Sequence, residues 1–128
     1  MLRKFLGLLG IGTAKIDLIL EKETYLPGEQ VFGYYLIKGG VIGQQMKRID
    51  CDLVKVDDEG KNEIIMDYTT ILTTVHIQSQ ATNKIPFTFR LPSSNRMSGP
   101  LSYRFNTRLA FIEGAESLDQ DTIRIIKK

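Results

Sequence analysis

The sequence predicts an all-β fold, a two-layer antiparallel sandwich of about seven strands, and three observations predict it. Runs of alternating apolar and polar residues recur along the chain, as half-buried strands require. Turn signals such as Pro27-Gly28, Gly39-Gly40 and DDEGKN separate the runs at short intervals. β-branched and aromatic residues fill the runs, and no stretch inside the domain keeps helical spacing. With 128 residues, 42% of them hydrophobic, the chain suits one domain and is short for two.

Residues 1–12 come first and are the exception. Leu2, Phe5, Leu6 and Leu9 fall at helical spacing beside Arg3 and Lys4, so an N-terminal arm or short amphipathic helix is expected, ended by Gly10 and Gly12. It is read as a packing arm over the core, or as a weak contact with a membrane surface or partner. The run also has the outline of a minimal secretory signal, but it is glycine-rich and lacks an A-x-A step. Nothing approaches the roughly eighteen apolar residues of a membrane-spanning helix.

The first strand, over 14–21, points Ile16, Leu18 and Leu20 one way and Lys15, Asp17 and Glu21 the other. The stretch 25–40, YLPGEQVFGYYLIKGG, organises the rest. Pro27 and Gly28 fit a type II turn, and the following strand is apolar on both sides, which predicts a central strand with little solvent on either face. Gly33 within it predicts a bulge or the close approach of another backbone. A third strand, over 47–56, sends Ile49, Cys51 and Leu53 inward and Arg48, Asp50 and Asp52 outward.

DDEGKN, over 57–62, reads as a hairpin turn; it lacks the spacing of a calcium loop. Residues 63–79 read as one long strand that bends near Thr69-Thr70. In 83–92, Ile85, Phe87, Phe89 and Leu91 point inward, and Pro86 demands an edge position or a bulge. The strand over 101–111 alternates strictly. A last short strand over 122–126 follows an acidic turn over 113–121.

The net charge is +2, from 17 basic and 15 acidic residues, which excludes the basic field of a nucleic-acid binder. Cys51 is the one cysteine, so no internal disulfide or cysteine-rich zinc site can form. It occupies a core position, where a thiol is inert. His76 is the one histidine; it has no second histidine with which to share a metal, and reads as an ordinary strand residue. Asp50 and Asp52 share a face, but carboxylates on an exposed strand more often pair with Arg or Lys than act as acid and base. The sequence supplies little for an enzyme or small-ligand binder.

GIGTAKIDLILEKETYLPGEQVFGYYLIKGG resembles the opening of the bacterial sporulation-control proteins of the stage-zero M type, the SpoOM family, whose fold is arrestin-like. The pattern Y-x-P-G-E-x-V-x-G, at Tyr25, Pro27, Gly28, Glu29, Val31 and Gly33, is common in arrestin-like amino-terminal domains. IPFTFRLP, with Pro86, Phe87, Phe89 and Pro92, is similar to a later strand of that family. The resemblance implies an arrestin-like (immunoglobulin-like) sandwich over 13–128. It also implies a cytoplasmic regulatory binding or scaffold protein, with no catalytic residues, cofactor or metal. Family members usually carry two such sandwiches, and this chain has the length of the first. The expected mode of action is protein contact at strand edges, where unpaired backbone groups accept another strand, with a homodimer as the expected oligomer. The alternative is a peripheral membrane adaptor held by residues 2–9.

Overall fold

Inward alternation on seven long runs builds two sheets that share one core. The computed structural model describes residues 12–57, 59–93 and 102–126, and among them are nine strands and no helix. They are β1 (Lys15–Leu20), β2 (Thr24–Tyr25), β3 (Gln30–Lys38), β4 (Gln44–Val56), β5 (Glu63–Leu72), β6 (His76–Ile77), β7 (Thr82–Arg90), β8 (Ser102–Phe111) and β9 (Glu116–Ile125). β2 and β6, two residues each, are the additions to the expected seven. The smaller sheet has the order β1-β3-β7; the larger runs β2-β9-β8-β4-β5, with β6 beside the start of β4. Every pairing is antiparallel except β2 with β9. The fold is an arrestin-like β-sandwich.

The aromatic residues of the smaller sheet meet β8 at the centre. Phe87 packs edge-on to Tyr35 at 5.3 Å and to Phe105 at 5.5 Å, and Phe89 meets Phe105 at 5.1 Å. Val31, Ile37, Ile49, Cys51, Leu53 and Leu109 complete this core with no exposed surface. Cys51 accepts a contact from the Thr107 hydroxyl, and burial pushes its thiol up to about 12, so it stays an unreactive thiol at neutral pH.

The two stretches that resemble the family fold against each other. β3 pairs with β7 from Gln30↔Arg90 to Lys38↔Thr82, which sets Gly33 opposite Phe87 and Tyr34 opposite Pro86. The turn before β3 is a type II turn: Gly28 has φ 79°, and Glu29 N–H donates to Leu26 C=O at 3.1 Å. Its ends are tied to the end of β7, by Gly28 N–H on Pro92 C=O and Leu91 N–H on Glu29 C=O. The Glu29 carboxylate accepts Leu26 N–H and pairs with Lys22, while the buried Tyr25 donates its hydroxyl to Lys22 C=O. Gly33 allows β1 to pass close by: a Cβ there would lie 2.1 Å from Ile19 C=O. Pro86 sits on an edge strand, where its missing N–H costs no ladder bond.

Three expectations need correction. β3 is central in its sheet but not enclosed; Phe32 is 48% exposed, because nothing described covers the outer face of the smaller sheet. The run 63–79 does not bend at Thr69-Thr70, which pair regularly with Cys51 and Asp50. The register shifts instead beside Met66, and the strand stops at Leu72 before β6 resumes at His76. His76 lies exposed beside Gln45. The last strand begins at Glu116, not near 122, and the turn before it is short, with Gly114 at φ 101°.

Candidate functional site

A β-sandwich offers loops, faces and edges, and here the edges differ sharply. Among the described residues the two sheets end on β1, β7, β2 and β5. The outer N–H groups of β1 and its lead-in are taken by side chains of the other sheet. Ala14 N–H donates to Gln44 Oε1 at 2.8 Å, Ile16 N–H to Ser117 Oγ at 3.1 Å, and Leu18 N–H to Asp119 Oδ2 at 2.8 Å. This is the physical reason for the missed half of β9: Ser117 and Asp119 occupy inward positions as polar residues because they serve β1. β7 carries Pro86 with Lys84 and Arg90, and β2 is only two residues long. Each of these devices blocks the addition of another strand.

β5 is the least guarded: the Asp67 carboxylate takes one outward N–H, that of Tyr68, and a register shift lies beside Met66. It runs ten residues without proline, lysine or arginine and presents Ile64 (61%), Ile65 (60%), Tyr68 (67%) and Leu72 (77%) to solvent. An open, apolar edge of this length is an interaction site or an aggregation hazard in a native chain.

Beside this edge, the outer face of the larger sheet forms a shallow dish of about 430 Å³. Registered rows cross it, one of them Thr70–Asp50–Arg108–Leu118. Asp50 is clamped: its Oδ1 accepts Arg48 Nη2 at 2.9 Å and Thr70 Oγ1 at 2.7 Å, and its Oδ2 accepts Arg108 Nη2 at 3.2 Å. Partial burial works against its charge, but the hydrogen bonds from Arg48, Thr70 and Arg108 outweigh it and hold the carboxyl below its ordinary range. Asp52, two residues on, is pushed up by burial and by the Asp50 charge. Glu63, at the start of β5, is bound by Arg104 Nε at 2.8 Å and Asn106 Nδ2 at 3.0 Å. Tyr68 and Leu118 stand on the two sides of the dish, so it offers a charged floor between apolar walls.

A second carboxylate group lies in the seam between the sheets. Asp17, Asp119 and Asp121 bring oxygens within 4.8 Å of one another. Burial and a hydrogen bond with Asp119 push Asp121 up to about 8, and burial with the Asp119 charge raises Asp17. Asp121 is thereby shifted towards its protonated form, while Asp119 anchors Leu18 N–H. The group's evident work is to close the β1–β9 seam.

Of the residues singled out in the sequence, Leu2, Arg3, Lys4, Phe5, Leu6 and Leu9 lie outside the described residues. The family-like positions from Tyr25 to Pro92 build the β3–β7 frame and not the open edge. Sequence reasoning missed β5 as the exposed strand. Its one signal was a long run with apolar residues on both faces and no proline or basic residue.

The matching family model is that of the SpoOM protein, and it spans residues 2–128. The chain belongs to the SpoOM family. Its sequence is 34% identical, over 128 aligned residues, to the sporulation-control protein spo0M of Bacillus subtilis, which covers 94% of this chain and 50% of that protein. The crystal structure of Spo0M from the same organism superposes with a TM-score of 0.77 at 33% identity, over 90% of this chain and 50% of that one. The chain thus spans about half the length of the relatives it matches. A cycloisomaltooligosaccharide glucanotransferase from Paenibacillus sp., at 15% identity and a TM-score of 0.58 over 87% of this chain and 14% of that one, shares the fold alone. No helix among the described residues is long and apolar enough to cross a membrane.

Proposed function

We propose that the chain is a non-enzymatic regulatory module of sporulation control, working in the cytoplasm through protein contact at the open edge of β5. One observation carries this: of the sheet edges among the described residues, β5 alone combines length and exposed apolar side chains with the absence of proline and of basic residues. Strand addition there supplies main-chain hydrogen bonds for affinity, while Tyr68, Leu72 and the neighbouring dish supply selectivity. The membership of a sporulation-control family supports the regulatory role. The side-chain chemistry favours binding over catalysis. Cys51 is buried with a raised pKa, His76 is a lone exposed strand residue, and Asp50 is neutralised by Arg48 and Arg108.

The test is capture from host lysate with tagged full-length chain, counting untagged copies of the chain itself among the proteins retained. Tyr68→Lys in β5 should abolish specific capture and Lys84→Glu in β7 should leave it intact. Equal capture by both variants would overturn the edge mechanism.

A further inference from the structure

The open edge has a definite polarity of donors and acceptors. Thr73 N–H donates back to Lys47 C=O on β4, whereas Tyr68 N–H is turned away from β4 and is held by the Asp67 carboxylate at 2.9 Å. Alternation along the strand therefore turns the N–H and C=O of Tyr68, Thr70 and Leu72 outward. The register shift beside Met66 leaves 67–72 as the regular segment of the edge.

We infer that the occupant of this edge is a second copy of the chain, paired antiparallel through β5 about a two-fold axis at Thr70. This rests on the edge reading above and names its partner. A two-fold pair sets each residue opposite its symmetry mate, and opposite residues share a face. Centred on Thr70, the pair places Tyr68 against Leu72 of the other copy, twice, and Thr70 against itself. All three outward residues then exchange both hydrogen bonds across the axis. Tyr68 and Leu72, 67% and 77% exposed in the single chain, cover each other. Asp67 falls opposite Thr73, so no carboxylate meets another, whereas two-fold axes at Ile65 or Asp67 would set acid against acid through Glu63 and Asp67. The Asp67 carboxylate leaves Tyr68 N–H on pairing, and a backbone carbonyl replaces it. Each Thr70 hydroxyl keeps its bond to Asp50 on its own chain. The two larger sheets join into one continuous sheet, with a dish from each copy on the same face.

The test uses full-length chain. Thr70→Cys places two thiols at the axis, where Cα atoms of a hydrogen-bonded pair lie about 5.5 Å apart, within disulfide range. Under mild oxidation it should form a covalent dimer rapidly, while Lys84→Cys on β7 stays monomeric; the native Cys51 is buried in both. By light scattering the unmodified chain should show twice the 14.5 kDa of one copy. Thr70→Lys, which sets like charges at the axis, should return it to one copy with an unchanged far-ultraviolet spectrum. An unmodified chain that remains monomeric at about 100 µM, with no preference for Thr70→Cys over Lys84→Cys, overturns the self-pairing. If the outward amides of Thr70 and Leu72 in that monomer exchange freely and gain protection only with a captured host protein, the edge reading stands without the dimer. If those two amides are protected in the isolated monomer, both readings fall.

Discussion

Gly33→Ala is the sharpest probe of the β1–β3–β7 frame. The residue sits in β3 opposite Leu20, and an added Cβ would lie 2.1 Å from Ile19 C=O and 3.1 Å from its carbon, both backbone atoms. Ordinary contact begins at 3.4 Å, so β1 must retreat by about 1.3 Å where it pairs with β3. Overpacking of that kind costs about 1–3 kcal/mol, and each ladder bond stretched beyond use adds about 1 kcal/mol. The expected loss is about 3 kcal/mol, or roughly 10 °C in Tm for a domain of this size. Urea unfolding of Gly28→Ala provides the contrast. That residue has φ 79° but open space around it, so it should lose only about 1 kcal/mol, from the left-handed backbone. A Gly33→Ala protein within 1 kcal/mol of the parent, or more stable than Gly28→Ala, would refute the close-approach argument.

Two further outcomes follow from the β1–β9 seam. Ser117→Ala strips the acceptor from a buried Ile16 N–H and should lower stability by about 1–2 kcal/mol, read as a lower urea midpoint at unchanged m. Burial and the hydrogen bond with Asp119 push Asp121 up to about 8, well above an ordinary carboxylate, so the folded chain binds a proton there that the unfolded chain releases. Its contribution is complete below about pH 4, shrinks as pH rises to about 8 and is gone above that; thermal stability should fall across this window and level off beyond it, and Asp121→Asn should flatten the fall.

The long strands were legible because their inward alternation is a local property of the sequence. Ile49, Cys51 and Leu53 in β4, and Tyr103 to Phe111 in β8, fall where period two puts them. The start of β9 was not legible in that way. Its inward positions are polar, and their partners are backbone groups of β1 about a hundred residues away in sequence. Nor could the open edge be read from β5 itself, since Ile64, Ile65 and Tyr68 look like core until sheet order leaves them without a neighbour. Sheet order is a non-local outcome, and the shift beside Met66 depends on the pairing with β4. The turn at Pro27-Gly28 and the edge position of Pro86 were legible, because each is dictated by one residue's backbone chemistry.

Residue-resolved amide hydrogen exchange, recorded across a dilution series, tests most directly whether β5 is the working edge. Thr70 and Leu72 should be protected at high concentration and exchange freely on dilution, while Ala14, Ile16 and Leu18 stay protected throughout by their side-chain acceptors. Protection at β5 that ignores concentration and every added protein, or concentration-dependent protection at another edge in its place, would contradict the account.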